Sequence, residues 1–487
     1  MTAQDVERRD LSLHERFSLT RRNTGFPAIL VFVVVYQNSS DLPSIEFLQK
    51  RIKQIQEHFP LLYAKVKGDK TSKPYFESRS EIWKSSDILF SSRFNIKENE
   101  NEIENIFKKE VSELKNEKDF FNKPSWRITL HENFNQPKKN KAYLTLSIDH
   151  IYNDGKGTLN LLQNLLTIKE ENDISLLPFE KLSNIPILEN TINIKPNLFF
   201  LLPIIFNKLF LPKLPLFIQS FFNNSSLSSW PPSTIIRSNP INCNSNQSLM
   251  YLSNNLINSL KIISKEKGIK TLHGIFKTIY MISIWSIYKY TLNPFLIKAS
   301  TPRSERSLNL NHSICTSNYV TTSKIEYILN GKQDFWKLSK LISDELNSIK
   351  NLNQGRMDMG MLNYIPDGEL NSSKENEPTG AWENFFLNEL NSNEPFNESL
   401  SISNLGKINL PPKAIDLIWS QEASPFAAPF SANIISHQAG FRMMTVWKEG
   451  SAVIEEEVKQ LEKVFQGILQ KLVNGQEDTS LEALCKI

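Results

Sequence analysis

The sequence predicts an α/β protein built of two domains. Its 487 residues are too many for one ordinary hydrophobic core. Residues 29–36 form a nearly pure apolar run, which is typical of a strand buried on both faces. Apolar residues then recur at helical spacing, at Ile45, Leu48, Ile52, Ile55 and Phe59. Strands and helices that alternate in this way predict a layered α/β fold with a mixed sheet.

We expect the first domain to span residues 1–190 and the second residues 248–487, with an apolar crossover and linker over 191–247. Residues 198–222 are rich in Leu, Ile and Phe but are broken by Pro203, Pro212 and Pro215. A bilayer-spanning helix needs roughly 20 mostly apolar residues without such breaks. We therefore interpret this segment first as a buried crossover. A surface that rests on a membrane or lipid droplet and a wall of an apolar substrate channel are the alternatives.

The second domain shows a similar mixture of patterns. Leu256, Leu260 and Ile263 indicate one helix, and residues 271–290 a second, central helix that is apolar nearly all round. The remaining predicted elements are strands over 295–300 and 319–328, a hairpin of 433–437 and 441–447, and a closing amphipathic helix over 453–472. Residues 366–399 are polar, and we expect them to form a long surface excursion.

The run from Lys141 onward carries the strongest functional signal. Residues 141–149 alternate apolar and polar side chains, which predicts a half-buried strand. His150 continues the apolar parity, so its ring should point into the protein. Gly155 and Gly157 supply a turn, and Thr158 can cap the helix that follows.

An imidazole at the inner end of a strand suits a general base that works away from bulk water. Two ordinary interpretations compete with this one. A single histidine at a strand end is commonly a packed side chain, and Asp154 before Gly155 is a common turn pair. The order of strand, turn and helix favours the catalytic interpretation.

The spacing His-x-x-x-Asp-Gly from His150 to Gly155 resembles the signature of the fungal alcohol acetyltransferase family. That family falls within the superfamily of chloramphenicol acetyltransferase, plant acyltransferases and condensation domains. Weaker similar segments follow the family's order along the chain: Leu11 to Phe17, Arg21 to Phe26, Phe59 to Leu62, Pro124 to Arg127, Pro302 to Arg306, and Ser401 to Gly406. The Asp-Phe-Gly-Trp-Gly element of plant relatives is absent, which argues against a plant-type enzyme.

The resemblance implies two chloramphenicol acetyltransferase-like lobes with an active-site channel between them. It also implies direct attack by the acceptor on a thioester, with His150 as the base. Asp154 would be structural and would pair with an arginine, for which we prefer Arg306 over Arg303. Ser403 and Asn404 are candidates for oxyanion or substrate contacts, although Ser-Asn-Leu-Gly is also ordinary turn chemistry.

Composition narrows the classes of function. Lys and Arg number 56 against 52 Asp and Glu, so the net charge of +4 gives no case for nucleic-acid binding. Cys243, Cys315 and Cys485 make neither a metal pattern nor a disulfide framework, which indicates a reducing compartment. The polar N-terminus lacks the apolar core of a secretory signal. We expect a cytoplasmic protein, with peripheral contact to the endoplasmic reticulum or lipid droplets through 198–222 as an alternative.

The first functional hypothesis is an acetyltransferase that makes esters from alcohols, with acetyl-CoA as co-substrate and no permanently bound cofactor or metal. Acetyl as the donor group follows from the resemblance alone. An amine acceptor such as a sphingoid-like long-chain base is the second hypothesis. The third is a catalytically silent, membrane-associated binding protein of the same fold. No Gly-x-Ser-x-Gly nucleophile elbow is present, so a serine acyl-enzyme is not expected.

Overall fold

The computed structural model describes residues 7–94, 101–133, 141–167, 181–206, 210–215, 228–306, 316–365, 380–392 and 394–486. The strands in these ranges are β1 (Arg8–Asp10), β2 (Ile29–Tyr36), β3 (Lys65–Lys67), β4 (Tyr75–Glu77), β5 (Leu89–Phe94), β6 (Trp126–Asn133), β7 (Ala142–Asp149), β8 (Ser245–Leu252), β9 (Phe295–Ser304), β10 (Val320–Leu329), β11 (Leu400–Lys407), β12 (Ala414–Gln421), β13 (Phe430–His437) and β14 (Gly440–Lys448).

The α-helices of the same ranges connect and cover these strands. They are α1 (Leu13–Asn23), α2 (Ile45–His58), α3 (Glu102–Lys115), α4 (Gly155–Leu166), α5 (Leu188–Thr191), α6 (Leu198–Ile205), α7 (Asn254–Glu266), α8 (Leu272–Tyr288), α9 (Phe335–Leu346), α10 (Ile349–Gly360), α11 (Ala381–Leu390), α12 (Glu455–Val473) and α13 (Leu481–Cys485).

The first large sheet has the strand order β12–β2–β7–β6–β5. Strands β2 and β7 are antiparallel, with Ile29 opposite Asp149, whereas β5 and β6 are parallel. Strand β2 is buried along its whole length on both faces, which confirms the prediction from its apolar run. The mixed strand directions confirm the predicted mixed α/β architecture. A separate small sheet of order β1–β4–β3 packs Val66 and Phe76 into the core beside it.

Strand β7 is buried on both faces, so the predicted half-buried strand is wrong. Helix α3 packs over β2 and β7. The polar side chains of β7 are hydrogen-bonded to protein groups. Ser147 Oγ donates to Glu110 Oε2 on α3 at 2.9 Å, and Thr145 Oγ1 lies 3.2 Å from Nε2 of His131 on β6. Because buried polar groups with hydrogen bonds are tolerated, the alternating pattern does not require exposure.

The second large sheet has the order β10–β9–β11–β13–β14–β8. Strands β13 and β14 form the predicted hairpin, with Ser431 opposite Val446. Helix α8 is buried along nearly its whole length, which confirms it as the central helix of this part of the chain. The predicted inner face of the closing helix α12 is confirmed for the five members that are buried: Val458, Leu461, Phe465, Ile468 and Leu472. The sixth predicted member, Ile454, is half-buried and is the N-cap of the helix.

Strand β12 joins the two sheets, because it comes from the second half of the chain but pairs with β2 in the first sheet. Asp416 on β12 accepts from Arg442 Nε at 2.9 Å, and its Oδ1 lies 2.9 Å from His437 Nε2. Trp419, also on β12, donates from Nε1 to the Ile434 carbonyl at 2.9 Å. The local sequence pattern alone does not predict this exchange of a strand between lobes.

Helix α6 lies on the surface, so the buried crossover expected over 198–222 is wrong for the described part of that segment. The exposed fractions are 73% for Leu198, 88% for Phe199 and 58% for Leu202, and Phe210 is 57% exposed. Residues 207–209 and 216–222 lie outside the described residues. No helix in the described ranges is long and apolar enough to cross a membrane.

Two smaller expectations also need correction. Residues 381–390, placed in a polar surface excursion, form helix α11, whose Trp382, Phe386 and Leu390 are buried at helical spacing. The polar residues between them form the outer face, so the average composition concealed an amphipathic helix. Ile45, assigned to the inner face of α2, is 51% exposed at the start of that helix. Residues 366–379, residue 393 and Cys315 lie outside the described part of the chain.

Candidate active site

His150 directly follows strand β7, at the end of this inner strand of the first sheet. Its backbone N–H donates to the Ala28 carbonyl, just before β2, at 2.9 Å. The side chain is half-buried rather than sealed. The predicted inward direction of the ring agrees with its position, because the ring contacts groups from both halves of the chain.

Asn318 lies immediately before β10 and fixes the imidazole of His150. Asn318 Nδ2 donates to the carbonyls of His150, at 2.9 Å, and Ile151, at 3.1 Å. Its Oδ1 must therefore face His150 Nδ1, which lies 3.0 Å away. An amide oxygen only accepts, so the neutral ring carries its proton on Nδ1. Nε2 is left with a free lone pair, as a general base requires.

The surroundings of His150 keep the ring neutral. Burial lowers its pKa below the ordinary 6.5. The charge of Asp154 and the hydrogen bonds to the ring, including that of Asn318, oppose this effect, while the positive charge of Arg21 adds to it. Because the net shift is downward, the ring holds no extra proton at neutral pH.

Asp154 caps helix α4 and binds the loop before β10. Its Oδ1 accepts from Gly157 N at 2.8 Å, so Asp154 rather than Thr158 is the N-cap, which corrects the prediction. Thr158 instead donates its hydroxyl to the Asp154 carbonyl at 2.8 Å. The other carboxylate oxygen, Oδ2, accepts from Tyr319 N at 2.9 Å. The carboxylate thus joins the turn after His150 to the residue next to Asn318.

Arg306, the preferred partner in the sequence analysis, pairs with Asp154. Its Nη1 lies 2.7 Å from Asp154 Oδ2, with 4% and 5% of the two side chains exposed. Arg303, the second choice, instead points to the Leu346 carbonyl at 3.5 Å. Burial alone would raise the pKa of Asp154, but the charge of Arg306 and the hydrogen bonds from Arg306, Gly157 and Tyr319 hold that pKa below its ordinary range.

Ser317 connects this ion pair to a second buried one. Its carbonyl accepts from Arg306 Nη2 at 2.8 Å, and its hydroxyl donates to Glu15 Oε1 at 2.9 Å. Glu15 in turn lies 2.9 Å from the guanidinium of Arg9. Ser317 has a φ of 87°, which is uncommon outside glycine and is typical of functional sites. Segment 316–319 therefore supports His150, Asp154 and Arg306 together.

Sequence reasoning missed Asn318, Ser317, Glu15 and Arg9. The only local signal for the first two is the polar run Thr316-Ser317-Asn318 directly before a predicted strand. Residues just before or after strands commonly carry functional side chains. The contact of Asn318 with His150, 168 residues away, has no signature in local spacing.

Gly155 begins helix α4 against the first sheet. A Cβ placed there would lie 3.3 Å from Trp419 Cζ3 and 3.5 Å from Leu405 Cδ2, so the start of the helix packs closely against both side chains. Since Trp419 is on β12 and Leu405 on β11, strands of the second half of the chain pack against the start of the helix that follows His150.

Ser403 and Asn404 lie on β11, and among the described residues no hydrogen bond joins either to His150. Asn404 Nδ2 lies 3.4 Å from Nδ1 of His273, and its Oδ1 accepts from Gly406 N at 2.8 Å. His273 Nε2 lies 3.1 Å from the hydroxyl of Thr301. The hydrogen bonds of Asn404 therefore join it to His273 on helix α8 and to its own strand.

An aromatic group, formed by Phe17, Phe26, Phe386 and Phe426, lies beside helix α1. The ring centroid of Phe17 is 5.8 Å from that of Phe386 and 5.9 Å from that of Phe426. Phe26 contacts Phe386 at 6.4 Å and also lines a cavity of about 480 Å³ where the two sheets meet. The aromatic group thus lies between helix α1 and this cavity.

The charged residues that line the same cavity are mainly cationic: Lys108, Lys115 and Lys448, together with one carboxylate, Glu422. Lys115 Nζ lies 2.7 Å from Glu422 Oε1. Burial lowers the pKa of Lys448 to about 8. Within the described ranges no three His, Cys, Asp or Glu side chains are grouped to hold a metal ion.

Fold and site define a class: a two-lobed α/β protein with a neutral histidine that an asparagine orients beside a buried ion pair. Comparison with known families agrees. A sequence model described as "Alcohol acetyltransferase" matches residues 88–469, which is more than half of the chain. The chain belongs to the alcohol acetyltransferase family, and its general chemistry is acyl transfer. No curated protein sequence matches it.

Solved structures confirm the predicted two-lobe fold. The condensation domain of the Monacolin K polyketide synthase MokA superposes with a TM-score of 0.63 at 8% identity, covering 98% of this chain and 100% of that one. The trichothecene 15-O-acetyltransferase TRI3 from Fusarium sporotrichioides gives 0.61 at 10% identity, covering 94% of each chain. The epimerization domain of tyrocidine synthetase B, TycB3, gives 0.56 at 12% identity, covering 99% and 100%. At these identities the likeness concerns the fold alone.

Proposed function

We propose that the protein transfers the acetyl group of acetyl-CoA to the hydroxyl of an apolar alcohol, with His150 as the general base. The observation that carries the proposal is the orientation of His150 by Asn318, because it leaves Nε2 as the ring nitrogen without a proton. Membership in the alcohol acetyltransferase family supports ester formation as the reaction.

The chemistry needs one proton to move twice. The acceptor oxygen attacks the thioester carbonyl while its proton passes to His150 Nε2, and the carbonyl π electrons become an oxyanion. When the intermediate collapses, the C–S bond breaks and the thiolate leaving group takes the proton back from the imidazolium. A well-placed base of this kind contributes on the order of 10²–10⁴ in rate. No acyl-enzyme is needed, since the acceptor attacks directly.

Asp154 positions the base in this proposal and takes no proton. Its carboxylate is occupied by Arg306, Gly157 and Tyr319, all of which favour the charged form. The ion pair fixes both the turn after His150 and the segment that carries Asn318. A change at Asp154 therefore acts on the reaction through the placement of the ring.

An alcohol fits the surroundings better than an ammonium ion. Arg21 places positive charge near both His150 and His14, and it lowers the pKa of each. Asp154, the negative group near His150, is already neutralised by Arg306. One helical turn after His14, Phe17 packs into the aromatic group, which offers an apolar wall for the acceptor.

The test uses matched acceptors. The purified full-length protein is incubated with acetyl-CoA and with pairs that differ only in the nucleophile, such as 1-hexanol with hexylamine and 1-dodecanol with dodecylamine, together with a sphingoid base. Thiol release is followed and products are identified by mass. We expect alcohol-dependent release with ester formation, reduced on the order of 10²–10⁴-fold in His150→Ala.

His58→Ala provides the matched control, because the hydrogen bond of His58 on α2 lies within its own helix among the described residues, to the Gln54 carbonyl at 2.7 Å. It should retain the wild-type rate. Faster transfer to every amine than to its matched alcohol would show that the acceptor is an amine and not an alcohol. No release with any acceptor, together with binding of the acceptors, would instead support a silent binding protein.

A further inference from the structure

A second histidine contacts the proposed base. His14 lies in the first turn of α1, which is capped by a reciprocal pair of hydrogen bonds between Ser12 and Glu15. The ring centroids of His14 and His150 are 4.8 Å apart, and the ring planes are inclined by 44°. Because Glu15 is itself bound to Arg9 and Ser317, the helix turn that carries His14 is fixed to the same support as His150.

His14 is a neutral imidazole under all ordinary conditions. Burial, the neighbouring His150 and the charge of Arg21 lower its pKa to about 3, against the opposing effect of Asp154. Its Nδ1 is fully buried and has no hydrogen-bond partner among the described residues, although the side chain as a whole is only half-buried. A buried N–H without an acceptor is costly, so the proton belongs on Nε2. The accessible edge of the ring is therefore a hydrogen-bond donor.

We propose that His14 is a second catalytic imidazole, which donates a hydrogen bond from Nε2 to the thioester carbonyl oxygen as that oxygen becomes negative. The proposal rests on the proposed function and deepens it. His14 transfers no proton, so His150 remains the group that removes and returns it. A neutral imidazole donates to an oxyanion without first adding a positive charge beside the base, which keeps His150 able to accept the acceptor's proton.

The position of His14 suits this role better than that of Asn404. The side chain of Asn404 is engaged by His273 and by Gly406 N, and no hydrogen bond joins it to His150 in the described residues. His14, in contrast, is in ring contact with His150. An oxyanion forms one bond away from the atom that receives the acceptor oxygen, so its donor must lie beside the base.

The test compares two replacements of His14. His14→Phe keeps an aromatic ring but removes the donor, and His14→Gln keeps a side-chain N–H donor without a ring. We expect His14→Phe to lower kcat on the order of 10²–10³-fold, the loss typical of one oxyanion donor, with little change in KM. His14→Gln should regain a measurable part of that loss. The pH at which kcat/KM rises should be the same in wild type and variants, because His14 does not titrate there.

His58→Phe is the matched control, since it makes the same replacement at the end of α2, in a side chain bound to its own helix. Thermal melts of all variants detect misfolding. Wild-type kcat in His14→Phe would overturn the proposal, as would equal losses in folded His14→Phe and His14→Gln. If the wild-type protein transfers no acetyl group at all, both the proposed function and the proposed role of His14 are wrong. Activity that depends on His150 but not on His14 overturns the role of His14 alone.

Discussion

Asn318 holds His150 at two points: its side-chain oxygen faces the ring Nδ1 at 3.0 Å, and its side-chain nitrogen donates to the His150 carbonyl at 2.9 Å. The two residues are 168 positions apart in the sequence. The amide spans the ring and the backbone of the same residue, so it controls both the tautomer and the direction of the imidazole. Asn318 is only 1% exposed, which leaves water little access to replace it.

The first prediction concerns this contact. Asn318→Ala should lower kcat on the order of 10²-fold, a part of the 10²–10⁴ that a well-placed base contributes, because the ring loses its fixed tautomer and direction. KM should change little, since Asn318 contacts the Nδ1 side of the ring and not the Nε2 side. Steady-state kinetics of the acetyl transfer measures both constants.

Asn318→Asp gives the complementary result. A carboxylate in place of the amide oxygen stabilises the protonated imidazole and therefore raises the pKa of His150. The rise of kcat/KM with pH should then move to higher pH than in wild type. An unshifted profile in a folded Asn318→Asp variant would show that residue 318 does not face the titrating base.

The parts of the fold that the sequence predicted well are those with local periodicity. The uniform apolar run of Ile29–Tyr36 and the helical face of α12 have one physical solution each, burial against the rest of the core. The alternation of apolar and polar residues before His150 did not predict correctly how far the strand is buried. Polar side chains are compatible with burial once another element offers partners, and Glu110 supplies such a partner to Ser147.

The site residues also fall into two groups, those that the sequence predicted and those that only the structure shows. His150, Asp154 and Gly155 were found because they are adjacent in the sequence, and Arg306 because the family resemblance implied an arginine for Asp154. Asn318 and His14 act through contacts that only the folded chain makes. Strand β12 illustrates the same limit for the fold, because its residues fit either sheet and only tertiary packing places it beside β2.

The second prediction concerns the Asp154–Arg306 ion pair. Asp154→Asn keeps an oxygen that can cap helix α4 but removes the charge opposite a buried guanidinium. Breaking a buried pair by removing one partner costs about 3–5 kcal/mol of unfolding free energy. We expect a loss in this range for Asp154→Asn and a similar one for Arg306→Gln, both measured by denaturant unfolding.

The double variant measures the energetic coupling between Asp154 and Arg306. Asp154→Asn with Arg306→Gln should cost less than the sum of the single changes, because no buried charge remains without a partner. Asp344→Asn is the control, since Lys340 and Asp344 form an exposed pair at 2.8 Å with 50% and 65% of their side chains accessible. That change should stay within about 0.5 kcal/mol. Additive losses in the double variant would contradict coupling between Asp154 and Arg306.

The third prediction is the pH dependence of the wild-type reaction. Only the deprotonated form of His150 accepts the acceptor's proton, so kcat/KM increases as pH rises through the pKa of His150. That pKa lies below the ordinary 6.5, mainly through burial. The rise should therefore be complete before neutral pH, and activity should persist into mildly acidic buffer. A midpoint above pH 6.5 would contradict a desolvated base beside Arg21.

The fourth prediction compares two glycines in the first turn of α4. A Cβ at Gly157 would overlap the buried side-chain oxygen of Asn153 and would lie 2.7 Å from Arg306 Nη2, which is held by the Ser317 carbonyl. A Cβ at Gly155 would meet Trp419 at 3.3 Å, a contact that a small movement relieves. Gly157→Ala should therefore displace Arg306, whereas Gly155→Ala should leave it in place.

The expected measurements follow from that difference. Gly157→Ala should destabilise the fold by roughly 1–3 kcal/mol, the usual cost of overpacking, and should lower kcat because Arg306 no longer fixes Asp154. Gly155→Ala should change stability by less than about 1 kcal/mol, since the better helix propensity of Ala offsets a small strain. Denaturant unfolding and initial rates of both variants test this order. Equal effects at the two positions would mean that the packing around Arg306 does not control the placement of His150.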